Sequence, residues 1–268
     1  MQVLTGAGQQ SFGFAGVITA AAVVFFAYIG FDVVATTAEE TRNPQRDLPI
    51  GIIASLAICT ILYVVVSLIL TGILPFNQLG TDAPLATALS QSGHDSAAGL
   101  ISIGVLAGLT SVIMILILGQ SRVAFAMSRD NLLPRWFART HPRFRTPYRI
   151  TIITGVIVAL MAGFVNLKQL AELTNIGTLF AFVLVSIGVI VLRRTNPDLR
   201  RAFRTPLVPV VPILAALTCF LLMVFLPVGT WIRFVVWMVV GLVVYFLYSV
   251  RNSRLARGEG VEEAAREV

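Results

Sequence analysis

The sequence predicts an all-α, polytopic membrane protein with about seven transmembrane helices. Only 12% of its 268 residues are charged and 57% are hydrophobic, with a mean hydropathy of +0.87. Soluble domains carry about 25% charged residues, so this composition excludes an ordinary soluble protein. The apolar residues also occur in runs near the ~20 residues that cross hydrocarbon as a helix. In lipid such a run must satisfy its own backbone hydrogen bonds, which predicts helices.

Each apolar run is bounded by charged, glycine-containing or proline-containing segments. Pro49 precedes the second run, and Pro75 and Pro227 follow the second and the sixth. The predicted spans are about 14–38, 51–74, 97–121, 150–167, 173–192, 207–227 and 231–250. Together they form a predicted transmembrane domain over 1–250, followed by a polar cytoplasmic tail over 251–268.

The basic residues alternate between successive loops, and eighteen of the twenty lie on one predicted side of the membrane. The loop after the third span alone holds seven arginines, whereas the loop between the second and third spans has no basic residue. Because short cytoplasmic loops are enriched in arginine and lysine, the N-terminus is predicted outside and the C-terminus in the cytoplasm of a cell-membrane protein. The net charge of +7 therefore comes from loops at the membrane surface, and we predict the lipid bilayer as the partner of these basic residues and not nucleic acid.

The first thirteen residues are uncharged and lack the basic flank of a signal peptide. A chain that starts outside the membrane in this way is predicted to lack earlier spans. We therefore expect it to be a fragment of a longer protein.

One acidic residue, Asp32, lies within an apolar span. Burying a carboxylate at that depth is unfavourable by at least a few kcal/mol, so such a residue is a candidate for function, although nearness to the interface could also hydrate it. Helical spacing would place Tyr28 on the same face as Asp32. Gly30, between them, would permit the helix to break, and transporters bind charged groups at such breaks.

Two longer motifs are more specific. The first is FAYIGFD at 26–32 followed by EETRNPQRDLPIG at 39–51, and the second is GQSRVAFAMSRDNLLP at 119–134 followed by HPRFRTP at 141–147. In order and spacing they resemble amino acid permeases of the amino acid–polyamine–organocation superfamily, in particular the cationic amino acid transporter branch. The resemblance covers nearly the whole chain as helices six to twelve of a twelve-helix protein.

This resemblance implies a partial LeuT-like fold, with the second five-helix inverted repeat and two further helices. It implies a secondary active amino acid transporter that works by alternating access around a broken first span. The substrate would be an amino acid, with a cationic one suggested by the branch. Proton coupling stays open, because the lysine that serves it in some relatives lies in the fifth helix, which is predicted to be missing.

The resemblance also assigns roles at the predicted break. Phe26 would be an aromatic gate over the substrate, and backbone groups of Phe26, Ala27 and Ile29 would receive its ammonium group. Gly30 would permit the unwinding, and Asp32 would contribute polar contacts or gating below the site.

A sixth candidate lies in the third span, where the resemblance suggests that Met114 lines the pocket for the substrate side chain. A lone methionine in an apolar helix more often serves packing, so both interpretations stand.

Other classes of membrane protein fit the sequence less well. Both histidines, His94 and His141, lie in loops, and the cysteines are isolated in apolar runs, so we predict no enzyme, no cofactor and no metal site. A retinal protein would need a lysine in the membrane for its Schiff base, but Lys168 lies in a predicted external turn. A seven-helix receptor is the remaining alternative, and only the two long motifs argue against it.

Overall fold

The computed structural model describes residues 13–81, 83–134, 136–137, 139–143, 146–197 and 205–253. Every regular element in these ranges is helical. The α-helices are α1 (Phe14–Val24), α2 (Pro44–Ile73), α3 (Pro84–Gln91), α4 (Asp95–Arg129), α5 (Tyr148–Phe164), α6 (Leu167–Thr195), α7 (Val210–Val224), α8 (Val228–Val244) and α9 (Val250–Asn252). The predicted cytoplasmic tail, beyond its first three residues, lies outside the described ranges.

Five described helical segments are long and apolar enough to cross a membrane. They are Phe14–Thr36, Pro44–Ile73, Asp95–Arg129, Leu167–Thr195 and Val228–Asn252. The apolar helices α5 and α7 have 17 and 15 residues, about 26 and 22 Å at 1.5 Å per residue, against about 30 Å of hydrocarbon. The all-α membrane architecture is thus as predicted, while the count of seven crossings stays a prediction.

The helix ends differ from the predicted spans because hydropathy detects the apolar part of a helix and not its polar ends. The second span was predicted from residue 51, but α2 begins at Pro44 and contains Pro49. The third was predicted to end at 121, and α4 continues to Arg129. The sixth was predicted from 207, but α7 begins at Val210, directly after Pro209.

One helix was not predicted. The segment between the second and third spans was expected to be a loop, but it contains α3, with Pro84 in its first turn. A proline there is compatible with a helix because its missing N–H would have no helical partner. At eight residues α3 is too short for the hydropathy of a span to reveal it.

The apolar side chains of the long segments face outward. In the most apolar window of each of the five candidate spans, between 0 and 17% of the residues are buried. A soluble protein would bury such side chains in a core. Their exposure therefore agrees with helices whose solvent is hydrocarbon.

The chain divides into two compact units. The first contains residues up to Met114 and Thr178–Pro227, and the second contains Ile115–Gly177 and the residues from Val228 onward. In the first unit α1 packs against α7, and the helical segment Phe31–Glu40 packs against α2.

In the second unit, a polar cluster joins α6 to α8. The hydroxyl of Thr230, which is completely buried, donates to Glu172 Oε2 at 2.8 Å. Arg233 Nη1 lies 3.5 Å from the same oxygen, and the Glu172 side chain is only 14% exposed. A carboxylate this buried requires partners to offset its lost hydration. The pairing of Glu172 with Arg233 follows only from the packing of α6 on α8.

Replacing Thr230 by valine should destabilise the second unit by about 1–3 kcal/mol, because the isosteric side chain leaves Glu172 without a hydroxyl donor. The measurement is thermal unfolding of the chain in detergent. The control is Thr174→Val on α6, since the exposed Thr174 hydroxyl only donates to the Leu170 carbonyl of its own helix and should change stability by less than about 0.5 kcal/mol. Equal losses in the two variants would contradict a specific role for Thr230.

Candidate functional site: a break in the first apolar segment

The first apolar segment is interrupted in its second half. The α-helix α1 ends at Val24 and continues as a 3-10 turn over Phe25–Tyr28. Ile29 is then extended, with φ −62° and ψ 132°, and Gly30 has φ +126°. A second 3-10 segment starts at Phe31. Side chains with a Cβ strongly disfavour that φ, so the break depends on glycine at position 30.

The backbone hydrogen bonds before the break and those after it belong to two separate half-helices. The Ile29 N–H donates to the Phe26 carbonyl at 3.2 Å, and the Val33 N–H donates to the Gly30 carbonyl at 3.2 Å. Gly30 N–H donates to Asp32 Oδ1 at 3.1 Å, as an acidic side chain does when it caps the first turn of a helix. No described residue donates a hydrogen bond to the Ile29 carbonyl. The break therefore leaves a backbone acceptor without a partner among the described residues, inside an apolar segment.

A tyrosine of α2 contacts the part of the segment that precedes the break. The Tyr63 hydroxyl donates to the Ala27 carbonyl at 2.9 Å. The Tyr63 ring also meets the Tyr28 ring edge-to-face at 5.2 Å between centroids. Sequence reasoning did not select Tyr63, although a hydroxyl in the aliphatic run of the second span was a signal that could have identified it.

A phenylalanine of α6 contacts both half-helices. The Phe182 ring centroid lies 6.1 Å from that of Phe25 and 5.6 Å from that of Phe31. Aromatic pairs at such distances stabilise by about 0.5–1.5 kcal/mol beyond burial. Phe182 therefore holds the two sides of the break at a set separation. The sequence carried no signal for this role, because Phe182 is one of 17 phenylalanines.

Five of the six predicted site residues lie at the break, and their roles in binding stay predictions. The Phe26 side chain is 42% exposed, and Ile29, Gly30 and Asp32 are half-buried. Ala27 is exposed, but its carbonyl already accepts the Tyr63 bond.

Two other expectations end differently. Met114 lies on α4 with 67% of its surface exposed, so its place in a side-chain pocket stays a prediction. The predicted helical alignment of Tyr28 with Asp32 does not hold, because the chain between them is extended at Ile29 and has positive φ at Gly30.

Across the described ranges, no group of three or more His, Cys, Asp or Glu side chains is placed to hold a metal ion.

The chain is helical, with apolar segments long enough to cross a membrane, and comparison with known proteins identifies its family. The amino acid permease family model matches residues 4–249, so the chain belongs to that family.

Three relatives illustrate the range of substrates. The chain is 52% identical to the methylthioribose transporter and 53% identical to the branched-chain amino acid permease BcaP, both of Bacillus subtilis, over 91% of its own length. It is 44% identical to the vacuolar cationic amino acid transporter 4 of Arabidopsis thaliana over 71% of its length. It covers 53%, 52% and 32% of these relatives, respectively, so the chain spans about half the length of the two bacterial proteins.

Replacing Gly30 by alanine should destabilise the first unit by about 1–3 kcal/mol, the cost of holding a Cβ-bearing residue at this φ. The space around Gly30 is open, so the loss would report backbone strain and not a clash. The measurement is thermal unfolding in detergent.

The matched control is Gly72→Ala. Gly72 lies in α2 with equally open space and ordinary helical backbone, so alanine should be neutral or stabilise by up to about 1 kcal/mol. If Gly30→Ala were as stable as Gly72→Ala, the positive φ would not be a feature of the folded chain.

Proposed function

We propose that this chain forms part of a secondary active amino acid transporter and that its substrate binds at the break around Ile29 and Gly30. The observation that carries the proposal is the unpaired Ile29 carbonyl within an apolar segment. An unpaired carbonyl in hydrocarbon is unfavourable by several kcal/mol, whereas a substrate ammonium group would give it a charged donor. Broken helices serve transporters in this way.

The two half-helix ends suit the two charges of an amino acid. Carbonyl oxygens at the end of the first half, chiefly that of Ile29, would accept from the ammonium group. The start of the second half presents backbone N–H groups and the positive end of its dipole, which would attract the carboxylate. Asp32 already satisfies the Gly30 N–H, so its proposed role is to shape this end. Phe26, 42% exposed beside the break, would cover the bound substrate.

The side chains at the break favour an apolar amino acid over a cationic one. The described ring contacts involve Phe25, Tyr28, Phe31, Tyr63 and Phe182, and aromatic rings suit an aliphatic substrate side chain. The acid next to them, Asp32, is engaged by the break itself. A branched-chain substrate, such as the name of BcaP states for that relative, is therefore our first choice, with a cationic amino acid and methylthioribose as competitors.

The setting proposed for this activity is the cell membrane, with the N-terminus outside and the C-terminus in the cytoplasm. The distribution of arginine between loops supports this orientation. Alternating access would move the broken segment against the remaining helices of a LeuT-like repeat, and a proton gradient is the coupling to be tested.

Uptake by the complete reading frame that encodes this chain, reconstituted into proteoliposomes, tests the substrate. We expect L-leucine to be accumulated at least about tenfold better than L-lysine or methylthioribose, which corresponds to about 1.4 kcal/mol of discrimination. Uptake should be measured with and without an imposed proton gradient. Transport of methylthioribose alone would overturn the proposal of an amino acid substrate, and preferential lysine uptake would overturn the apolar assignment.

Substitutions in the break test the site. Gly30→Leu and Asp32→Leu should each lower leucine uptake at least about tenfold, because the first forbids the positive φ and the second removes the acceptor for the Gly30 N–H. Asp32→Asn should retain most activity, because its amide oxygen can accept the same bond. The control for the added bulk is Gly72→Leu in α2. Undiminished uptake in both leucine variants at the break would remove the proposed site.

A further inference from the structure

The connection between α4 and α5, with the ends of those helices, is strongly basic. Residues 122–149 contain seven arginines and one aspartate. A positive cluster next to a membrane helix is attracted to anionic lipid, by about 1 kcal/mol per arginine near the surface. Charge alone does not define a site, so the conformation of this connection decides whether one exists.

The connection is held by buried side-chain hydrogen bonds. Ser128, fully buried at the end of α4, donates to the Pro134 carbonyl at 2.8 Å. Ser249 donates to the Leu132 carbonyl at 2.8 Å. Asn131, which lies between Ser128 and Leu132, is buried and has φ +59°. Asparagine tolerates this conformation. These contacts fix the conformation of the start of the connection, residues 128–134.

An arginine at the other end of the connection, in the first turn of α5, is oriented by aromatic rings. The guanidinium carbon of Arg149 lies 4.9 Å from the centre of the Trp136 ring and 5.6 Å from that of Tyr148. Its Nε–H donates to the Tyr148 hydroxyl at 3.0 Å, and the His141 ring meets Tyr148 edge-to-face at 5.6 Å. Stacking orients the planar guanidinium group. Its Nη1 is buried and has no hydrogen-bond partner in the described part of the chain, and its Nε–H is engaged by Tyr148, so Nη2 is the nitrogen left for an anion.

The sequence predicts that α5 crosses the membrane, which would place Arg149, in its first turn, at the membrane interface. The helix begins at Tyr148 and has 17 residues, about 26 Å, which is shorter than the ~30 Å hydrocarbon layer. A short span draws its flanking residues into the interface. Trp136 is 50% exposed, and tryptophan and tyrosine are the residues enriched at that depth.

We propose that the Arg149 cluster, defined as Arg149 with Trp136 and Tyr148, binds the phosphate of an anionic phospholipid headgroup. Arg149 would donate a charge-assisted hydrogen bond from Nη2 to the phosphate, and the rings would lie against the glycerol and upper acyl chains. The exposed arginines nearby, such as Arg143, supply only general attraction. This inference does not depend on transport, since it concerns residues outside the break.

Thermal unfolding of the full chain in detergent, titrated with phosphatidylglycerol or phosphatidylcholine, tests the site. Phosphatidylglycerol should stabilise the chain and phosphatidylcholine should not. Arg149→Gln should weaken the apparent affinity for phosphatidylglycerol about thirtyfold or more, because it removes a charge-assisted hydrogen bond in addition to the general attraction. The matched control, Arg143→Gln, removes the same charge from an exposed position and should weaken it by about fivefold at most. Equal weakening in the two variants would overturn the site, and so would the same stabilisation from inorganic phosphate, which would indicate a free-anion site.

A fluorescence measurement keeps the proposal testable even if Arg149→Gln fails to fold. The chain has three tryptophans, so Trp231→Phe together with Trp237→Phe leaves Trp136 as the single reporter next to an intact Arg149. Brominated phosphatidylglycerol should quench Trp136 at lower mole fraction than brominated phosphatidylcholine. Equal quenching by the two lipids would contradict headgroup recognition.

Discussion

The requirement that backbone groups be paired in hydrocarbon governs this structure. Each long apolar segment meets it as a helix, and the five longest described segments carry apolar side chains on their outer surfaces. At Ile29 and Gly30 the chain departs from that rule, because Gly30 has positive φ and the Ile29 carbonyl is left unpaired by the described residues. An exception of this kind in an otherwise regular membrane helix is tolerated only where something polar can reach it, and this is why it is the strongest candidate for a binding site.

The break is stabilised by residues far away in sequence. Tyr63 on α2 bonds the Ala27 carbonyl, and Phe182 on α6 contacts an aromatic ring on each side of the break. Asp32 adds a local bond to the Gly30 N–H. Its carboxylate, which the sequence marked as a candidate for substrate contact, is therefore also part of the support of the break. A change at any of these side chains would alter the geometry of the site without touching a substrate directly.

Overall identity to the relatives does not identify a substrate. A methylthioribose transporter and a branched-chain amino acid permease are 52% and 53% identical to the chain over the same share of its length. Overall similarity therefore does not distinguish between a thiosugar and an amino acid.

The sequence by itself determined the membrane class, the approximate spans and, through its two long motifs, the permease family. It also singled out Gly30 as the point of breakage, because hydropathy, glycine and motif order are local properties of the chain. Tertiary structure alone decided how the break is held by Tyr63 and Phe182 and how Glu172 pairs with Thr230. Such features depend on which helices lie side by side, and spacing along a single chain carries no record of that.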